Sequence, residues 1–252
     1  MDLAIAGKRA VVIGGSAGLG LAVCEALAAE GVNLVIFSRG RESLVAAQEA
    51  LSGSTGVTVD IVAGDLTRRD DTRSLARTVR DTGGADILIV NSPRPPSPMR
   101  DFLDETDDAR WEAAYRDQLE GVLNVLRDLT PVLVDNGWGR IIAITSASVK
   151  NPMPRHAVST VFRAGVHGAL KHLALEIADR GVTVNAVAPA TVVTPTFAQY
   201  HDLQNRIDAT PVKRHGTPEE LAATVVFLAS QQAGFITGET IHVDGGRNPS
   251  LV

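Results

Sequence analysis

The stretch that decides the fold is Arg9–Gly20, RAVVIGGSAGLG. Ala10–Ile13 is an unbroken apolar run, the form a parallel strand takes when both of its faces are covered. Glycines follow at Gly14, Gly18 and Gly20, and Leu19–Glu30 then reads as an apolar-faced helix. A buried strand that turns through glycines into a helix leaves the first helical N–H groups free at the turn, which suits a phosphate. In that setting Gly14 allows the tight turn and Gly18 admits a close pyrophosphate, with Ser16 and Leu19 in the same loop. Gly20 lets the helix lie close on the strand. The glycine spacing alone is weak; its place between strand and helix gives it weight.

Outward from this unit, short β-rich runs alternate with longer helical ones. Strands are predicted over 9–14, 33–38, 58–63, 87–91, 140–146, 183–189 and 240–243. Helices are predicted over 19–30, 41–51, 70–81, 107–135, 157–180 and 218–230. Such alternation implies an α/β fold, a doubly wound parallel sheet of about seven strands of the Rossmann type, in one domain over residues 1–252. The irregular tract PRPPSP at Pro93–Pro98 can join neither a helix nor a central strand. It is either a stiff rim of the cleft or a plain connector.

Composition excludes several classes of function. The chain has 252 residues, 44% hydrophobic and 21% charged, with a formal net charge of −5. An acidic balance argues against duplex nucleic acid as a partner. The lone Cys24 sits in an apolar helical run, as a buried thiol would. No secretory leader is visible, and no apolar run approaches the ~18 residues of a membrane span, so a cytoplasmic protein without a membrane or nucleic-acid partner is expected. The histidines show no metal-binding spacing, so no metal is expected.

The second strand ends in Phe37-Ser38-Arg39. A site selective for NAD would carry an acid here for the ribose 2′-hydroxyl, whereas an arginine fork suits the 2′-phosphate of NADP(H). Arg39, aided by Arg41, therefore points to NADP(H); the alternative is that Arg39 is a solvated surface charge.

Further segments make the resemblance specific. Gly64-Asp65-Leu66, Ile87–Asn91, Gly139–Ser146, Gly181–Pro189 and Ile236–Gly246 follow in order, and the chain resembles the short-chain dehydrogenase/reductases from about Gly7 to Arg247. The resemblance implies an adenine contact at Asp65, beside Leu66, although Asp65 could instead cap the helix that begins near Thr67. It implies a strand ending in a cofactor-binding tract at Asn91, and further cofactor contacts at Pro189 and Thr194, the latter otherwise a plain turn. It also implies a catalytic serine at Ser146, a substrate cap over about 190–210, a small-molecule substrate, and a homodimer or homotetramer built through the helices at 107–135 and 157–180.

The pattern breaks where the chemistry should be. The family's Tyr-x-x-x-Lys, thirteen residues beyond the serine, is here Ser159-Thr-Val-Phe-Arg163. The active-site asparagine corresponds to Gln118. A serine hydroxyl is shorter and far less acidic than a phenol, whose ordinary pKa is about 10. Arg163, one helical turn on, keeps a positive charge but shuttles protons poorly. Replacement donors are few. Tyr115 reads as helix packing. Tyr200 is a candidate substrate contact in the cap. His156 has a suitable ordinary pKa yet fits a structural role as well. Lys150 could replace the missing cation or be an exposed lysine without a role.

Three functions follow. One is an NADP(H)-dependent oxidoreductase acting on a carbonyl or conjugated enone, in which Ser146, Arg163 and Gln118 stabilise the oxygen. The second is a non-redox isomerase, lyase or cyclase on the same scaffold. The third is a catalytically silent NADP-binding protein.

Overall fold

Valine, isoleucine, leucine and alanine dominate the strands, and seven form: β1 (Arg9–Ile13), β2 (Asn33–Ser38), β3 (Val59–Ala63), β4 (Ile87–Asn91), β5 (Gly139–Ile144), β6 (Val182–Pro189) and β7 (Thr240–Val243). All pair in parallel, in the order β3-β2-β1-β4-β5-β6-β7. The structure is a computed structural model and describes residues 2–194, 197 and 202–251. The sequence-based reading of a doubly wound, Rossmann-type sheet is correct.

The helices lie on both faces: α1 (Gly18–Ala29), α2 (Arg41–Thr55), α3 (Arg69–Asp81), α4 (Asp108–Tyr115), α5 (Gly121–Val134), α6 (Ala157–Ile177), α7 (Leu203–Asp208) and α8 (Pro218–Leu228). Side chains alternate along β1, so Val12 joins a core with Leu27, Ile36 and Leu221. Val11 and Ile13 join the opposite core with Leu75, Leu88 and Leu129. This two-sided burial is why the strands read as continuous apolar runs. Each such side chain contributes about 1.5–3 kcal/mol on leaving water. Cys24 is fully buried and its Sγ faces the Gly15 carbonyl at 3.6 Å. Burial pushes its thiol pKa up, so the thiolate that would react does not form.

Predicted boundaries differ by a few residues, and one element differs in kind. Instead of one helix over 107–135, the wide π-turn Arg116–Glu120 separates α4 from α5. At its end Gly121 packs against Leu66, whose Cδ1 would lie 1.6 Å from a Cβ there and would have to move for any larger residue. The predicted helix 157–180 closes instead as α6 followed by a 3-10 turn at Ala178–Arg180, stopped by Gly181 with φ 74°.

Register positions the site. Ile13 pairs with Phe37 and Val90, Asn91 pairs with Ile144, and Pro189 pairs with Val243. Gly14, Ser38, Asn91, Thr145 and Pro189 therefore stand along one carboxyl edge. The strand order reverses between β1 and β4, which is where open α/β sheets hold ligands. Among the described residues no helix is long and apolar enough to cross a membrane.

Candidate active site

A cleft of about 400 Å³ opens at this edge. One end is built by the glycine turn. Gly14 has φ 69°, and a Cβ there would lie 2.6 Å from the Asn91 carbonyl, whose own side-chain Nδ2 donates to Gly14 O at 3.3 Å. A Cβ on Gly20 would lie 2.0 Å from Gly14 O, so helix and turn are in backbone contact. Gly18, with φ 55°, faces open space bounded by Thr194 Cγ2 at 3.8 Å. No side chain caps α1. The free N–H groups and the room above Gly18 fit a dinucleotide pyrophosphate.

At the end of β2 the Ser16 and Ser38 hydroxyls are 2.9 Å apart, and Ser43 Oγ donates to Ser16 Oγ at 3.2 Å. Arg39 is exposed and lines the cleft beside them. Three hydroxyls and a guanidinium form a donor set for a phosphate, with Asp117 near enough to feel the Arg39 charge. Asp65 lines the cleft while its Oδ1 accepts from Thr67 N and Oγ1, each at 2.9 Å, so it caps the turn and borders the cleft at once. Leu66, Asn91, Pro189 and Thr194 also line the cleft, and Leu19 joins Gly18 at its floor. Thr194 Oγ1 accepts from Phe197 N at 3.2 Å.

The other end carries the candidates Ser146, Ser159 and Arg163. Ser146 caps the 3-10 turn Ala147–Val149, its Oγ accepting from Ser148 N at 3.2 Å and lying 3.0 Å from Ser148 Oγ. Ser159 and Arg163 line the cleft from α6, and Arg163 Nη1 donates to Ser159 Oγ at 2.6 Å. Serine does therefore reach the cleft, held by the arginine one turn away. Burial, helped by Arg94, lowers the Arg163 pKa to about 10, so the guanidinium stays charged at neutral pH. His167, which sequence reasoning passed over, sits behind Ser146: its Nε2 is 2.9 Å from Thr145 Oγ1, and burial pushes its pKa down to about 4.

Of the other candidates only His156 lies in the cleft lining among the described residues. Gln118 is fully buried in the π-turn, outside the cleft lining, and neither Oε1 nor Nε2 has a partner among the described residues. It borders a narrow void with Ser92, Thr145 and Arg163. The π-turn turns it inward; a straight helix, as the sequence suggested, would have left its direction open. Lys150 is exposed, outside the cleft lining, and its charge is felt by His242. The 3-10 turn that follows Ser146 carries it away. His156 lines the cleft with Nδ1 2.7 Å from Pro154 O, and burial lowers its pKa to about 4, so at neutral pH it is an uncharged ring rather than an acid. Tyr115 is 42% exposed and packs edge-on to Phe162 at 6.0 Å, away from the cleft. Tyr200 lies outside the described residues.

The proline tract is a rim. Pro93, Arg94, Pro95 and Met99 line the cleft. Arg110 stiffens the tract, donating to Pro98 O at 2.6 Å and Ser97 O at 3.3 Å while its Nε pairs with the buried Glu105 at 2.6 Å. Two cleft arginines, Arg94 and Arg206, were missed. Arg94 was visible inside the tract, but its approach to Arg206 is set by the fold. Among the described residues no cluster of three or more His, Cys, Asp or Glu side chains could hold a metal.

A family model described as enoyl-(acyl carrier protein) reductase matches residues 14–248. Nodulation protein G of Azospirillum brasilense is 35% identical over 249 residues, covering 96% of this chain and 98% of that protein. The 3-oxoacyl-[acyl-carrier-protein] reductase FabG of Staphylococcus epidermidis is 34% identical over 244 residues, covering 95% and 98%. The structure of L-sorbose reductase from Gluconobacter frateurii, complexed with NADPH and L-sorbose, superposes with a TM-score of 0.91 at 30% identity over 100% of both chains. A chain that follows these proteins over nearly its whole length belongs to the short-chain dehydrogenase/reductase superfamily of NAD(P)-dependent oxidoreductases.

Proposed function

We propose that the chain is an NADPH-dependent reductase that adds hydride to the β-carbon of a small conjugated enone. The observation that carries this reading is the Ser159–Arg163 contact of 2.6 Å in the place of a tyrosine and lysine. Gly14, Gly18 and the α1 N-terminus would hold the diphosphate, and Ser16, Ser38 and Arg39 the 2′-phosphate. NADPH bound there supplies two electrons and one hydrogen as hydride.

The protein's part is to stabilise charge. Reduction of a plain ketone leaves an alkoxide, which needs an acid at once. None of the described cleft side chains is suited to that: His156 is uncharged at neutral pH, and Arg163 keeps its proton. An enone makes a smaller demand. As hydride reaches the β-carbon, the double-bond pair moves towards the carbonyl and an enolate forms; water then protonates the α-carbon. The Ser146 and Ser159 hydroxyls can donate to the enolate oxygen, and the Arg163 charge behind Ser159 strengthens its donation. Gln118 and Lys150 have no part in this arrangement. A family model described as an enoyl reductase accords with it.

The test is consumption of NADPH with matched enones and saturated ketones. Enone turnover without ketone turnover is expected. Ketone turnover alone, or none with any enone, overturns the proposal; the second result favours a non-redox enzyme or a silent NADP-binding protein.

We also propose self-association as a dimer or tetramer. Val161 and Leu175 on α6 and Tyr115 on α4 are 45%, 76% and 42% exposed, beside an aromatic series of Phe102, Trp111 and Phe162. An apolar face of this kind usually marks an interface. Light scattering should give a multiple of 26.6 kDa.

A further inference from the structure

Four arginines from distant parts of the chain converge at the mouth of the cleft: Arg94 from the proline rim, Arg155 ahead of α6, Arg206 on α7 and Arg247 beyond β7. Arg206 lines both the cleft and an adjoining cavity of about 580 Å³, which Arg155 and Arg247 also line. His156, Met99 and Met153 border both spaces, so the two lie side by side. The guanidinium carbons of Arg206 and Arg94 stand 5.4 and 6.0 Å from the Phe197 ring.

The nearby acids are occupied by neighbouring donors. Asp202, the one acid among the described residues of the second cavity, accepts from Asn205 N and Nδ2 at 3.2 and 2.5 Å. Asp101 accepts from Arg155 N at 2.5 Å, and Asp244 from Gly246 N and Asn248 N, each at 2.9 Å. In the cleft itself Asp65 is the one acid among the described lining residues, and it belongs to the β3 end with Arg39. Burial and the charges of Arg247, Arg155 and Arg94 push the Arg206 pKa down to about 10. The like charges therefore repel one another, on a protein whose net charge is −5.

We infer that this arginine cluster is a subsite for an oxyanion on the substrate, a carboxylate or a phosphate, with Arg206 as its centre and Arg94 reaching it from the opposite wall. The inference rests on the reading of the cleft as a reductase's substrate chamber and adds the substrate's class: a small conjugated carbonyl compound that carries an anionic group. An anion there neutralises mutual repulsion among the guanidiniums, and Met99 and Met153 offer apolar walls to its carbon skeleton. A distinct anionic anchor also fixes which end of the substrate reaches Ser146, Ser159 and Arg163.

Binding to the protein–NADP+ complex, which has no hydride to give, tests this without turnover. The probes are trans-4-oxo-2-pentenoate and its methyl ester, titrated calorimetrically, with inorganic phosphate and acetate as competitors. The acid should bind about 10–100-fold more tightly than the ester. Arg206→Gln should remove most of that preference while NADPH affinity stays as in the parent, and Arg206→Lys should restore part of it. Stronger displacement by phosphate assigns a phosphate group, and stronger displacement by acetate a carboxylate. Equal binding of acid and ester overturns the inference, as does an Arg206→Gln protein that keeps the preference. A parallel loss of NADPH affinity in that variant also overturns it, because the arginines would then serve the coenzyme's phosphates. Failure of enone turnover with the acid preference intact would sink the reaction and leave the subsite standing.

Discussion

The two halves of the cleft differ in what constrains them. The glycine-turn half is fixed by backbone: Gly20 and Gly14 are in contact so close that no side chain fits, and the ligand-facing donors are largely N–H groups. The β5–α6 half is built from side chains, among them Ser146, Ser159 and Arg163. Backbone geometry cannot be altered residue by residue without losing the fold, whereas side chains on a standing helix can. On the proposed function, the glycine-turn end holds the part of the coenzyme common to the superfamily and the opposite end sets the reaction.

The strongest challenge to this contrast is Gly20→Ala. Its Cβ would lie 2.0 Å from Gly14 O, and relief requires the helix to leave the strand. A loss on the order of 5 kcal/mol is expected, read as a collapse of the unfolding midpoint together with NADPH binding. Gly53→Ala on α2 meets nothing within 4 Å and is the control, with an expected gain of about 0.5–1 kcal/mol. A Gly20→Ala protein of parental stability would show that backbone contact does not constrain this end.

Acid should distinguish the halves next. His156 and His167 at the catalytic end have native pKa values lowered by burial from 6.5 to about 4. The unfolded chain binds these protons first, so stability is full above about pH 6.5 and declines as pH falls towards 4. The limiting loss is about 3 kcal/mol per histidine. Urea unfolding between these pH values, repeated with His156→Asn, should show a shallower slope in the variant; an unchanged slope would place the acid sensitivity elsewhere.

Arg39→Ala probes the one specificity element of the cofactor end that is a side chain. NADPH affinity should fall about 30-fold, roughly 2 kcal/mol, with NADH affinity little changed. Equal losses for both coenzymes would mean that Arg39 acts on the shared part of the molecule, or on neighbours such as Asp117, whose carboxyl burial raises and Arg39 lowers.

What could be read from sequence follows the same division. The strands announce themselves because both faces of Ala10–Ile13 and Ile87–Val90 are buried, and the glycine turn because only glycine tolerates its contacts. Ser146, Ser159 and Arg163 are reached only through the family resemblance, and the fold brings all three to the cleft lining. The direction of Lys150 could not be read, because a three-residue 3-10 turn reorients the chain just after Ser146. Nor could the neutrality of His156, which depends on burial by remote elements. The meeting of Arg94 with Arg206 joins residues 112 positions apart and has no local sequence mark.

Gln118 is the subtlest case, because a π-turn that no periodicity revealed presses its amide into the interior. Both polar atoms lack partners among the described residues, and the void beside them is too narrow for a water. An unpaired buried amide costs about 1–3 kcal/mol, and methionine fills nearly the same volume without one. Gln118→Met should therefore stabilise the protein by about 1 kcal/mol and leave NADPH affinity unchanged, as measured by urea unfolding and coenzyme titration. Such a gain would mark the position as relieved of catalytic work, in keeping with a reaction that relies on Ser146, Ser159 and Arg163. If enone turnover instead fell more than about tenfold in a stabilised protein, the amide would have to turn towards Arg163 in the working state. The catalytic end would then retain a third polar member behind its serine and arginine, and its divergence from the family pattern would be smaller than the side chains suggest.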